Sequence, residues 1–152
     1  MERTRVAGII PMNGGIALMH REKVMKRKDF QEYYTFPGGG LEEGETVEEG
    51  TIREIKEEFG IDVKVIGKLY EMKSEKFNQR EIFFLCEYIS GKFGTGDGPE
   101  FNNDPKYIDA GTYTPEIIKW EDIKDINLLP QEIKENLLND VEKIKKYTYN
   151  NK

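Results

Sequence analysis

Residues 39–61 read GGLEEGETVEEGTIREIKEEFGI, and the middle of that stretch predicts a helix whose two ends are both encoded locally. Thr46-Val47-Glu48-Glu49 has the form of a capping box, in which a threonine hydroxyl and a glutamate carboxylate satisfy backbone amides reciprocally. Ile52, Ile55 and Phe59 follow at helical spacing, and Gly60 offers the left-handed C-terminal cap that glycine adopts without strain. At about 100° per residue, Glu54, Glu57 and Glu58 share an arc of about 100°, and the apolar residues occupy the neighbouring arc. One stripe is expected to be core and the other carboxylate. Like charges at these spacings repel by a few tenths of a kcal/mol per pair, and Arg53 alone cannot neutralise three. A hard divalent cation can, because Mg²⁺ prefers oxygen ligands and shares its shell with water and phosphate oxygens.

Working outward, Pro37-Gly38-Gly39-Gly40 reads as a glycine-rich loop after a brief strand at 33–36. Apolar runs at 5–11 and 16–19 flank Asn13-Gly14-Gly15, a turn signal that predicts an early hairpin. Residues 20–32 are polar and rich in Lys and Arg. Beyond the helix, strands are expected at 62–72 and 81–88. Residues 90–112, with Gly91, Gly94, Gly96, Gly98, Pro99 and Pro105, carry no period and predict a long loop. A strand at 113–120 and a helix at 131–147 close the pattern, and no repeat interrupts it.

The 152 residues suit one domain over residues 1–152, with the last helix part of it. Hydrophobic residues make up 37% and charged residues 34%, with apolar side chains gathered into runs, so a globular fold is expected rather than disorder. No run approaches the roughly 20 apolar residues that span a bilayer, and MERTRV has no apolar segment behind its charges. Cytoplasmic localisation and no membrane partner are the expectation. The single cysteine, Cys86, lies in the apolar run Ile82 to Cys86 and is expected to be a small core residue. A net charge of −6 argues against binding a nucleic acid polymer through its phosphate backbone.

Gly39, then after five residues Glu45, then after seven more Arg53-Glu54-Ile55-Lys56-Glu57-Glu58-Phe59-Gly60-Ile61, match every fixed position of the Nudix box. The chain thus resembles the Nudix hydrolases, MutT-like members included. The resemblance extends to Phe36-Pro37-Gly38-Gly39-Gly40 and to the order of strands, and implies an α/β (α+β) fold, the Nudix-type α/β/α sandwich with a mixed β-sheet. It implies an Mg²⁺-dependent pyrophosphohydrolase, with Mn²⁺ as a substitute, cleaving a nucleoside diphosphate linked to another group by attack of metal-activated water. The alternative is a Nudix domain that senses a nucleotide without turning it over.

Carried over residue by residue, the resemblance makes Glu57 and Glu58 metal ligands, and Glu54 a third ligand or the base. Glu45 either joins that cluster or holds Arg53, which would anchor the glutamates. Gly38, Gly39 and Gly40 would let substrate approach the backbone closely, and Glu100 would add a carboxylate from the long loop. The implied partner is a small nucleotide-type molecule, and family members often form homodimers. A structural or surface role is expected for His20, and a solvated one for Lys23, Lys26, Arg27 and Lys28. Tyr33, Tyr34, Phe77, Phe101 and Tyr107 are candidates for stacking on a base. ADP-ribose members tend to carry a proline where this chain has Phe77, and dinucleoside polyphosphate members a tyrosine nearby. Neither mark is present, and a nucleoside triphosphate is the favoured substrate.

Overall fold

The computed structural model describes residues 2–24, 30–97 and 111–150. In chain order the strands are β1 (Arg3–Ile9), β2 (Pro11–Met12), β3 (Gly15–Val24), β4 (Phe30–Thr35) and β5 (Gly38–Gly40), followed by helix α1 (Val47–Phe59). Then come β6 (Ile61–Ser74), β7 (Gln79–Gly91), β8 (Thr112–Lys119), a 3₁₀ segment (Trp120–Asp125), β9 (Leu128–Leu129), α2 (Gln131–Asn139) and α3 (Val141–Lys145).

Two sheets form. One has the order β5-β1-β7-β6, with β1 parallel to β7 and the other pairs antiparallel. The second is built on β3, which pairs with β2, β4 and β8, while β9 lies parallel to β4. Alternation along the strands divides the core in two. Val6, Ile10, Ile82, Phe84 and Cys86 pack with Ile55 and Phe59 of α1, whereas Ala7, Ile9, Phe83 and Leu85 pack with Ile133, Leu137 and Ile144 of α2 and α3. Helices therefore cover both faces, which is why the run Ile82 to Cys86 is continuously apolar. Mixed sheets covered by helices are what the Nudix resemblance implies. Cys86 is fully buried, and burial pushes its thiol up to about 12, consistent with a core residue.

Helix α1 forms as its sequence predicts. Thr46 Oγ1 accepts from the Glu49 amide, Glu49 Oε1 accepts from the Thr46 amide, and Gly60 caps the end at φ 76°. One residue departs: Ile52 is 37% exposed, and Thr51 is buried in its place with its hydroxyl donating to Val47 O.

The structure corrects four sequence expectations. The hairpin is confined to β2 and β3, turning at Asn13 and Gly14, both with positive φ. Residues 3–9 instead pair with β7 and β5, since a strand apolar on both faces needs neighbours on both edges. Gly38–Gly40 is not a loop but the edge strand β5. Its partner is β1, and tertiary contacts override glycine's weak strand preference. The polar residues after Met19 continue β3 as far as Val24, where pairing with both β4 and β8 stands in for an apolar period. The C-terminal helix is two helices, broken at Asp140, whose φ of −108° and ψ of 16° are not helical. Asp140 Oδ2 accepts from the Tyr70 hydroxyl at 2.6 Å.

Candidate active site

The box helix, the glycine strand and the gap between the sheets together form a cleft of about 730 Å³. Glu54 and Glu58 line it beside Gly38 and Gly39, and Arg5, Arg21, Tyr33, Phe36, Glu81 and Tyr113 complete much of the wall. The glycines matter because of what stands over them. A side chain at Gly39 would place its Cβ 2.6 Å from Glu54 Oε1, and the Gly38 amide donates to Glu58 Oε2 at 2.7 Å. Strand β5 therefore carries no side chains where α1 lowers its carboxylates onto it.

Arg53 organises these carboxylates from behind. Its Nε donates to Glu45 Oε2 at 2.7 Å and its Nη2 to Glu45 Oε1 at 3.1 Å, the two-pronged geometry that suits guanidinium and carboxylate. Nη1 donates to Glu54 Oε1 at 3.0 Å and Glu57 Oε2 at 3.2 Å, while Nη2 also reaches Gly40 O. Glu45 is 12% exposed, and the Arg53 hydrogen bonds hold its carboxyl below the usual carboxylate range, assisted by the Glu42 amide. These contacts, first of all those from Glu45, raise the Arg53 pKa still further, so it stays charged at every working pH. Of the residues singled out in the sequence, the structure thus gathers Gly38, Gly39, Gly40, Glu45, Arg53, Glu54, Glu57 and Glu58. Glu45 is joined to Arg53, while Glu54 and Glu58 face the cleft.

Glu100, Phe101, Tyr107, Lys26, Arg27 and Lys28 lie outside the described residues. Phe77 does not line the cleft and is 68% exposed beneath Lys76. Tyr34 is buried and stacks on His20, whereas Tyr33 faces the cleft. His20 lies on the other face of β3 from Arg21. Its Nδ1 is 2.5 Å from Glu116 Oε2 and its Nε2 is 3.1 Å from Glu32 Oε2, with Glu22 beyond. His20, Glu22 and Glu32 place one ligand atom each close enough together to hold a metal ion. The carboxylates already match the imidazole. Burial works against the charged ring, but Glu32 and Glu116 outweigh it and hold its pKa above the ordinary 6.5.

Sequence reasoning missed Arg5, Arg21, Glu81 and Tyr113. Arg21 stacks on Tyr113 with its guanidinium carbon 3.7 Å from the ring centre, and Tyr33 lies on it more loosely at 5.6 Å. Nothing local marks the stacking on Tyr113, because β8 is remote in sequence from β3. Glu81 did leave a trace, an acid at the head of an otherwise apolar run.

The chain matches the NUDIX domain family over residues 2–137. It belongs to the Nudix hydrolases. Among its relatives it is 34% identical over 127 residues to the ADP-ribose pyrophosphatase of Methanocaldococcus jannaschii, covering 76% of this chain and 73% of that protein. It is also 34% identical over 114 residues to the 8-oxo-dGTP diphosphatase of Haemophilus influenzae, covering 72% and 81%. A NUDIX hydrolase of known structure from Nitrosomonas europaea superposes with a TM-score of 0.67 at 17% identity, over 99% of this chain and 80% of that one. That family includes pyrophosphohydrolases, acts on small nucleotide-type molecules and generally uses divalent metals.

Proposed function

We propose that the chain hydrolyses a nucleoside diphosphate linked to another group, a nucleoside triphosphate by preference, with Mg²⁺ or Mn²⁺ held by Glu57 and Glu58. One observation carries the reading: carboxylates of the box helix and two arginines, Arg5 and Arg21, line the same cleft. The donor set suits a hard cation, since it offers carboxylate oxygens and no sulfur or imidazole. Glu45 is assigned to Arg53 rather than to the metal, because Arg53 and the Glu42 amide engage both its oxygens.

The remaining residues then take the following roles. Arg53 keeps Glu54 and Glu57 side by side against their repulsion, and the Gly38 amide orients Glu58. Glu54, close over Gly39, takes the proton of the attacking water as the P–O bond of the diphosphate breaks. Arg21, steadied on Tyr113, offers positive charge to the phosphates. A cation bound by Glu57 and Glu58 would stabilise charge developing on the phosphoryl oxygens and would lower the pKa of a bound water.

The test is a panel of nucleoside triphosphates, nucleotide sugars, dinucleoside polyphosphates and coenzyme A, each with Mg²⁺ and with product identification. Hydrolysis of a diphosphate linkage that stops on chelation is expected. Tight nucleotide binding with no turnover of any member would overturn the proposal in favour of a sensing domain.

A further inference from the structure

Arg5 and Glu81 are neighbours on the parallel strands β1 and β7, directly in register. They share the face that, one step along, carries Ala7 and Phe83 into the core beneath α2. Val6 and Gly39, also in register, share the opposite face with the box helix. The cleft therefore has two chemically distinct sides. Glu54, Glu58 and the glycines form one, while Arg5 and Glu81 lie on the other, with Phe36, Leu129 and Pro130 nearby.

Both side chains are half-buried, and neither makes a hydrogen bond or ion pair with another described residue. The contrast is with Arg53 and Glu45, whose polar atoms are matched within the protein. Half-buried charges that face each other but are not hydrogen-bonded cost stability and mark places where a ligand can supply the missing hydrogen bonds. Burial also raises the Glu81 pKa, with Arg5 opposing that shift only in part.

We propose that Arg5 and Glu81 read the edge of the substrate base, and that their chemistry selects a guanine-type edge. The inference rests on the cleft being the nucleotide site described above. A carboxylate accepts from two adjacent N–H groups, and a guanidinium donates to a carbonyl beside them. Guanine presents O6 followed by N1–H and the 2-amino group. Adenine and cytosine each present one amino group next to a ring nitrogen that is itself an acceptor and would face the carboxylate. Sites that bury hydrogen-bonding groups discriminate strongly, because the wrong partner leaves them unpaired.

The experiment compares GTP, ITP and ATP with Mg²⁺, in the parent chain and in Glu81→Gln and Arg5→Met. In the parent, kcat/KM for GTP should exceed that for ATP by at least about tenfold, and that for ITP, which lacks the 2-amino group, by about threefold or more. Glu81→Gln should shrink the GTP preference to within about threefold, with the loss in KM, and Arg5→Met should weaken discrimination against ATP. The parent comparison needs no variant to fold. Equal parent rates for GTP and ATP would overturn the proposal and leave the hydrolase reading intact, as would a Glu81→Gln loss of the same factor in kcat for all three. If no nucleotide is turned over, equilibrium binding of GDP and ADP decides. Preference for GDP keeps the base-reading pair while the hydrolase reading falls, and no preference overturns both.

Discussion

Among the described residues, two places set one cation among several carboxylates. Behind the box helix, Arg53 serves Glu42, Glu45, Glu54 and Glu57; on the far face of β3, His20 serves Glu22, Glu32 and Glu116. Glu22 and Glu32 stand directly opposite each other on β3 and β4, a repulsive cross-strand pair that His20 relieves. The difference is in the cation. A guanidinium keeps its charge at any pH the fold survives, so it suits a cluster of carboxylates that must stay ionised. An imidazolium can be lost. That cluster is a local repair of strand pairing and is tied to proton concentration.

The largest expected effect breaks the functional cluster itself. Glu58→Gln and Glu57→Gln should each lower Mg²⁺-dependent turnover by about a hundredfold or more while circular dichroism shows an unchanged fold. Near-parental rates at saturating Mg²⁺ in both variants would end the ligand assignment. Glu54→Gln sharpens the division of roles: turnover should fall comparably, but the rise in melting temperature on adding Mg²⁺ should persist. If that rise vanished, Glu54 would be a ligand instead of the base.

Removing the permanent cation comes next. Arg53→Ala should lose about 2 kcal/mol of stability in chelator, because it strands charge-assisted hydrogen bonds to partly buried carboxylates. Denaturant titrations with and without millimolar Mg²⁺ should show part of that loss recovered by the metal.

The His20 cluster should respond to pH in a defined direction. Since the native pKa lies above 6.5, its stabilisation is complete below pH 6.5 and is lost as pH rises through the native value. The amount is about 0.5 kcal/mol, because Glu32 and Glu116 are substantially exposed. His20→Gln should flatten that segment of the stability profile, and an unchanged slope would show that the slope arises elsewhere. Smallest of all, Glu57→Gln in chelator should lie within about 0.5 kcal/mol of the parent, since relief of repulsion offsets one exposed contact to Arg53.

The functional cluster was largely legible in the sequence because its geometry is local. Thr46, Glu49, Ile55, Phe59 and Gly60 specify α1 through spacings of three to five residues, and the carboxylate arc follows from them. Arg53 reaching back to Glu45 required only the start of the same helix. The rest depended on pairing between distant segments. Glycine's poor strand preference hid β5, and the alternation of β3 past Met19 is polar on both faces, so no period announced it. Arg5 with Glu81 and Arg21 with Tyr113 are juxtapositions made by the sheets alone. Ile52 misled for a simpler reason: an apolar residue at the edge of a helical stripe need not be inside it.

The parallel pairing of residues 3–9 with residues 79–85 also has a bearing on biosynthesis. β1 is an inner strand of its sheet, yet its neighbour β7 is made only after about 70 further residues have followed. At about 5–20 residues per second, several seconds separate the two. Throughout that interval β5 can pair with one edge of β1 while the edge that β7 will take stays open, and α1 can already form from local signals. Completion of the cleft should therefore be a late event in folding, governed by closure of a long loop. A nascent chain stalled before residue 79 would carry the whole box and no assembled cleft.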